Sequence, residues 1–413
     1  MATQERLWID PAEVERYVLE LAQHGGDGTG VRRLVYSPEW VAAQDLVARW
    51  CEEAGMEVRR DAVGNVWGRL EGTEGGPSIA TGSHIDSQNP GGRYDGALGV
   101  IAGILAVRAV RERYGRPRRT IEVVSLCEEE SSRFPSAAFW GSRAITGRST
   151  PEDAENMRGY GGETMAEAMR AVGLDPARIP EARRNDIETW IELHVEQGPI
   201  LEQAGLPVAI VNGLPSIRHY VVRVDGRSDH AGAMPMDLRR DPMAGAAEMI
   251  SGVIGTALQM GRPAVTTVGR MLVEPNFPAI VPERVTFTID ARHADPAQRD
   301  RLYAAHEALL REVAERRGLN VSWEITADLP PCPADPDLVR LLEEVAAEQG
   351  IPTMTMPSGA VHDTQRMAEI AKVAMIFVQS KDGRSHTPAE YTAPEHAAAG
   401  IQVLAAALHR LAY

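Results

Sequence analysis

Cysteine is nearly missing from this chain of 413 residues: only Cys51, Cys127 and Cys332 occur, and none forms a Cys-x-x-Cys pair. An odd, widely spaced set argues against a disulfide framework and fits a reducing compartment. Long apolar runs are missing as well. The longest, from Gly96 to Val107, has 12 residues, too short to cross a bilayer. The first residues, Met-Ala-Thr-Gln-Glu-Arg-Leu-Trp, carry no basic run followed by an apolar stretch, so no signal peptide and no membrane partner are expected, and the expected location is the cytoplasm. Positive charge is in deficit, with 43 Lys and Arg against 58 Asp and Glu and a formal net charge of −15. Such a chain repels phosphate backbones, and its short basic run, Arg116-Pro117-Arg118-Arg119, reads as a solvated loop, so nucleic acid is not an expected partner. What remains is an ordinary globular composition, 44% hydrophobic and 24% charged, long enough for two or more domains.

Helical periodicity marks residues 11–24 and 38–54. Strands are then expected at Val63–Leu70, Ser78–Ser83 and Thr120–Cys127, with a helix at Asp95–Tyr114. This alternation predicts an α/β layer fold with a mixed, largely parallel sheet. From about residue 212 the rhythm changes to strand Arg218–Asp225, helix Asp241–Met260, strands Ala264–Glu274 and Glu283–His293, helix Ala297–Arg317 and strand Val321–Asp328. That β-α-β-β-α-β order predicts a ferredoxin-like α+β domain over 212–328, inserted into a larger domain made of 1–211 and 329–413. The larger domain resumes with helix Pro336–Glu348, strand Lys372–Val378 and helix Pro394–Leu411.

The informative polar residues follow apolar strands. Ser78–Ser83 leads to His84-Ile85-Asp86, Thr120–Cys127 to Glu128-Glu129-Glu130, Thr189–Leu193 to His194-Val195-Glu196-Gln197, and Lys372–Val378 to Asp382-Gly383-Arg384-Ser385-His386. In an α/β sheet ligands bind beyond the carboxyl ends of strands, so four such ends point to one shared site. Taken singly, His84 with Asp86 reads as a surface pair or as a metal-bound imidazole beside an orienting carboxylate, Asp95 reads as a helix N-cap or a bridging ligand, and the Glu triplet reads as a solvated loop or a cation site. Collectively, histidines and carboxylates without thiols suit zinc, manganese, cobalt or nickel.

These segments, together with Gly91-Gly92-Arg93-Tyr94-Asp95-Gly96 and Glu192-Leu193-His194-Val195-Glu196-Gln197-Gly198-Pro199, resemble the hydantoinase/carbamoylase amidases of the M20 metallopeptidase clan. That group includes N-carbamoyl-L-amino-acid hydrolases, β-ureidopropionases and allantoate amidohydrolases. The resemblance implies two divalent metal ions per subunit, one on His84, Asp95 and His194 and the other on Glu130 and His386, with Asp95 bridging. It implies Glu129 as general base. From Asp225-Gly226-Arg227-Ser228-Asp229-His230 it implies that His230 steadies the oxyanion, usually across a homodimer interface. Arg292, in Thr288-Ile289-Asp290-Ala291-Arg292, matches the arginine that grips a substrate carboxylate, and Gln197 a substrate-side glutamine. Arg218 belongs to the same substrate-facing set.

Departures from the motif gather at those substrate-facing positions. The substrate-binding asparagine falls on Ala279, with Asn276 nearby as a stand-in; Ile217 and His219 replace the usual Gln and Trp flanking Arg218; Ser131 replaces Gly after the Glu triplet; and Val361-His362-Asp363 replaces Gly-His-Asp. The expected function is hydrolysis of a C–N bond in a small carboxylate-bearing substrate, an N-carbamoyl amino acid rather than allantoate. An aminoacylase- or dipeptidase-type amide hydrolase and a non-catalytic binding protein are the alternatives.

Overall fold

The computed structural model describes residues 6–28 and 30–413. It divides into two compact units, Met1–Asn212 with Ala334–Met356 and Ala360–Tyr413, and Gly213–Pro333 with Pro357–Gly359.

The larger unit is built on an eight-stranded sheet. In chain order its strands are β1 (Glu57–Arg60), β2 (Val66–Leu70), β3 (Ser78–His84), β4 (Ile121–Leu126), β5 (Ile187–Val195), β6 (Val208–Val211), β7 (Thr353–Met356) and β8 (Lys372–Val378). In space they run β7-β6-β8-β5-β3-β4-β2-β1. The four central strands β8, β5, β3 and β4 are mutually parallel. Every residue of β3 and β4 is buried, the signature of a parallel strand covered on both faces. Helices α1 (Pro11–Ala22), α2 (Pro38–Glu53), α3 (Ala97–Tyr114), α4 (Pro336–Gln349) and α5 (Pro394–Ala412) belong to this unit. α3 and α5 pack on each other and on the central strands. An Asp or Ser before a Pro opens α1, α2 and α4, its side chain accepting a first-turn backbone amide while the proline fills a position that needs no donor. Because the central strands are parallel, the segments that follow β3, β4, β5 and β8 all leave from one edge of the sheet.

In the second unit the main sheet and its two long helices follow the order β-α-β-β-β-α-β. The antiparallel sheet places Arg284–His293 and Ser216–Asp225 at the centre and Asn320–Leu329 at one edge. Helices Pro242–Met260 and Pro296–Arg317 pack against it, around Tyr220, Val222, Met249, Phe287 and Leu310. The single strand expected over Ala264–Glu274 is two, Val265–Thr267 and Met271–Glu274. Both pair with Arg284–His293, but one extra residue between them shifts the register, as in a bulge. The unit extends to Pro333 because Cys332–Pro333 ladders with Gly213–Leu214.

Candidate metal centre

β3 ends at His84, whose buried ring has Nδ1 3.0 Å from the Asp86 carbonyl oxygen. That contact comes from the Asp86 backbone; the nearer carboxylate oxygen is 3.7 Å away. His84 Nε2 is left facing Asp95 Oδ1 at 3.6 Å. Asp95 is no helix cap: α3 begins after Gly96 without a side-chain cap, which leaves the carboxylate available. Gly96 has φ 63, and a Cβ there would lie 2.3 Å from the His84 ring, so only glycine lets the helix start against the imidazole. Glu390 pins the same turn, accepting the Tyr94 and Asp95 amides at 2.7 and 2.8 Å.

From β5 comes His194, with Nδ1 2.9 Å from the Val195 carbonyl oxygen and Nε2 3.2 Å from Asp95 Oδ1. His386 follows β8 and places Nε2 3.2 Å from Asp95 Oδ2 and 3.4 Å from Glu130 Oε2. Two groups able to hold a metal ion result, His84–Asp95–His194 and Asp95–Glu130–His386, each with donor atoms within 4.8 Å of one another, and Asp95 belongs to both. A third, Glu192–His194–His362, overlaps at His194, but Glu192 is already committed to the Ser83 and Thr364 hydroxyls at 2.7 and 2.6 Å.

The triplet after β4 divides its work. Glu128 closes its own loop, its Oε1 accepting the Arg133 and Phe134 amides at 3.1 and 2.8 Å. Glu129 Oε2 stands 3.8 Å from His84 Nε2. Glu130 Oε2 accepts from Gln88 Nε2 at 2.7 Å, and its amide donates to Asp86 Oδ2 at 3.1 Å.

Burial pushes the Glu129 carboxyl well above the ordinary carboxylate range and Glu130 up to about 7. Burial opposes ionisation of Asp95 too, yet hydrogen bonding to His194, His386 and His84 holds it well below. The Asp95 hydrogen bond raises His386 to about 9; on His84 burial acts the other way, but the surrounding carboxylates, Glu129 foremost, still raise it well above the usual range. Packed nitrogen and oxygen donors of this kind, with carboxylates that only protons relieve, fit divalent cations. A cation takes the deprotonated forms. Zinc added at pH 7 is therefore expected to release protons, and its affinity to rise as pH climbs through 7 towards 9, the range of Glu130 and His386. Calorimetry in buffers of different ionisation enthalpy checks this; a binding heat independent of buffer would contradict it.

Of the other expected residues, Gln197 meets this cluster: its Nε2 donates to Asp95 Oδ2 at 2.8 Å, and its buried Oε1 has no hydrogen-bond partner among the described residues. The remaining four belong to the second unit. His230 is exposed, and its Nδ1 accepts the Gly232 and Ala233 amides at 3.0 Å each. In the neutral ring this puts the proton on Nε2, the nitrogen left to donate outward. Arg292 holds Asp290. Arg218 pairs with Asp328 at 2.7 Å and lies over the Tyr303 ring. Asn276 is exposed, with φ 60.

Two contributors, Ser385 and Arg33, are not among the expected site residues. Ser385 donates to Asp95 Oδ2 at 2.7 Å and bonds Glu390 at 3.0 Å. Arg33, fully buried, donates to the carbonyls of Ile85 at 2.5 Å, Leu21 at 2.9 Å and His24 at 3.0 Å, and so fixes the chain just past His84. Beside Glu130 opens a cavity of about 660 Å³, lined among others by Arg32, Gln88, Ser131 and Tyr160. No described helix is long and apolar enough to cross a membrane.

The family model for peptidase family M20/M25/M40 matches residues 80–410. The chain is 39% identical to the N-carbamoyl-L-amino acid amidohydrolase of Geobacillus stearothermophilus over 98% of this chain and 97% of that protein. It is 38% identical to the allantoate amidohydrolase of Bacillus subtilis (strain 168), over 96% and 97%. The crystal structure of a hydantoinase/carbamoylase family amidase from Burkholderia multivorans superposes with a TM-score of 0.90 at 33% identity, covering 98% of each chain. A family model spanning most of the chain, with relatives alike over nearly its full length, establishes that this protein belongs to peptidase family M20/M25/M40 and is an amidohydrolase-type hydrolase.

Proposed function

We propose that the protein is a binuclear metal-dependent amidohydrolase that cleaves the C–N bond of an N-carbamoyl-L-amino acid, giving the free amine, ammonia and carbon dioxide. The observation that carries this reading is a pair of metal-holding groups sharing Asp95, with Glu129 directly before the ligand Glu130 and 3.8 Å from His84. His84, Asp95 and His194 would hold one ion, and Asp95, Glu130 and His386 the other. Divalent cations such as zinc, manganese, cobalt or nickel, when bound, acidify water and polarise a carbonyl oxygen. Glu129 accepts the proton of the attacking water and returns it to the leaving nitrogen, a task suited to a buried carboxylate whose proton affinity is raised. His230 Nε2–H donates to the oxyanion, Arg292 grips the substrate carboxylate, and Gln197 orients the ureido group while bonded to Asp95.

The replacements at Ala279, Ile217 and His219 remove or change polar groups on the substrate side, so allantoate is not the preferred substrate even though relatives carry that name. The working form is a homodimer: of fourteen large exposed apolar side chains among the described residues, ten lie in the second unit, Met236, Leu238, Leu258 and Phe277 the most exposed of them, and a second copy would cover them.

The test is product release from the metal-loaded enzyme across matched N-carbamoyl and N-acetyl L-amino acids, with allantoate alongside. Ammonia with amine from the carbamoyl series alone is the expected result. Amine from the acetyl series without ammonia would move the protein to aminoacylase chemistry, and allantoate as best substrate would overturn the specificity argument.

A further inference from the structure

On the sheet face opposite the helices of the second unit, His219 and Asp290 stand directly across from each other on neighbouring strands. His219 Nε2 lies 3.0 Å from Asp290 Oδ2. Two residues along its strand, and so on the same face, Arg292 closes a bidentate pair with that carboxylate, Nε to Oδ1 and Nη2 to Oδ2, both at 2.9 Å. Arg292 Nη1 donates to the Gly359 carbonyl oxygen at 3.2 Å, and Gly359 belongs to the same unit. The Nε–Nη2 side of the guanidinium is therefore filled from within the chain. Asp290 takes one hydrogen of Nη2 and Gly359 one of Nη1, so each of these nitrogens keeps one further N–H with which to meet an anion.

We infer that His219 is a positioning residue for anion capture: by holding Asp290, it fixes Arg292 side-on and presents these remaining N–H groups to the substrate carboxylate. The inference rests on the reading of Arg292 as the carboxylate grip. His219 occupies a position at which this sequence departs from the motif it resembles, whereas Asp290 and Arg292 lie in a stretch that matches it, so the histidine partner is what this chain adds. Asp290 is the hydrogen-bonded link between them: His219 and Arg292 meet on the same carboxylate oxygen. Burial works against the Asp290 charge, but hydrogen bonds from His219 and Arg292 hold the carboxyl well below the usual carboxylate range, so the link stays ionised. An unheld Asp290 can swing with Arg292 among other rotamers, and the cost then falls on binding an anion rather than on the chemical step.

Four variants of the full-length, metal-loaded enzyme test this: Arg292→Lys, Asp290→Asn, His219→Phe and His219→Gln, the last keeping an amide N–H near the place of imidazole Nε2. Each is assayed on an N-carbamoyl-L-amino acid and on the matched N-carbamoyl amino-acid amide, which lacks the carboxylate. The His219 side chain is 44% exposed, so its loss should leave the fold intact, and melting curves verify that. His219→Phe is expected to raise KM for the acid about tenfold, the scale of one lost hydrogen bond to a charged group, with kcat within about twofold. Asp290→Asn follows it, His219→Gln restores most of the loss, and KM for the amide stays put throughout. KM for the acid raised by Arg292→Lys but unmoved by His219→Phe would overturn the inference while leaving the grip in place. Equal increases for acid and amide would reduce His219 to a structural role and overturn it too. An unchanged KM in Arg292→Lys would remove the carboxylate grip itself, and the inference with it.

Discussion

Glu129→Gln should cost about 10²–10⁴-fold in kcat, the usual worth of a positioned proton carrier, while both metal ions bind as in the parent enzyme. The substitution keeps the shape of the side chain and removes only its capacity to take a proton. Glu129 belongs to neither metal-holding group; its neighbour Glu130 does. Its carboxyl is largely enclosed among His84, Glu130, Asp86 and Asp363, so a neutral amide there also relieves repulsion from the three carboxylates, and the variant should be no less stable than the parent. Metal analysis and single-turnover kinetics on the same preparation decide the matter. Loss of a metal would make Glu129 a ligand. Full kcat would place the base elsewhere, with Asp363 the first alternative, since it is buried, pushed up to about 7 by that burial, and has an oxygen without a hydrogen-bond partner among the described residues.

The largest effect on stability is expected at Arg33. Its side chain is enclosed, and burial lowers its pKa to about 10. It satisfies the carbonyls of Leu21 and His24 at the end of α1 and of Ile85 beside the metal ligand His84. Arg33→Leu removes this donor from all three, but Leu21 keeps the His24 amide at 3.1 Å, so the Ile85 and His24 carbonyls lose their partner at about 1–3 kcal/mol each, about 2–6 kcal/mol in total. Trp40, Trp67, Trp140 and Trp190 are buried in the larger unit, so the denaturant midpoint followed by tryptophan fluorescence reads that unit. Metal affinity should fall with stability, because the chain after His84 loses its anchor. An unchanged midpoint would mean that the Ile85 and His24 carbonyls find other partners.

These two residues show where the sequence was readable and where it was not. His84, His194, Glu130 and His386 stand out because each comes at or after the end of an apolar segment that has to be a buried strand, and parallel strands bring such ends together, whereas Asp95 is marked only by its place before a helix and by the motif around it. Arg33 has no such signal: it belongs to no motif, and only the tertiary carbonyls explain its burial. Glu390, which holds the Tyr94 and Asp95 amides, lies 295 residues from Asp95, and nothing in its local sequence separates it from a surface glutamate. Glu128 looked equivalent to its two neighbours; the left-handed turn at Glu128, φ 50, sends it to its own loop. Strand limits moved for local reasons as well. β2 begins at Val66, not Val63, because Asp61 takes the Val63 and Asn65 amides at 3.1 and 3.0 Å and makes a turn of those residues. The His219–Asp290–Arg292 chain was hidden for another reason: cross-strand register puts His219 opposite Asp290, and register is a property of pairing that a single segment does not display.

The most direct single measurement is a titration of the demetallated full-length enzyme with zinc, following bound metal and hydrolysis of an N-carbamoyl-L-amino acid together. Two groups sharing Asp95 call for two equivalents per chain, with activity still rising between the first and the second. Full activity at one equivalent, or activity indifferent to zinc, manganese, cobalt and nickel alike, would contradict a binuclear centre.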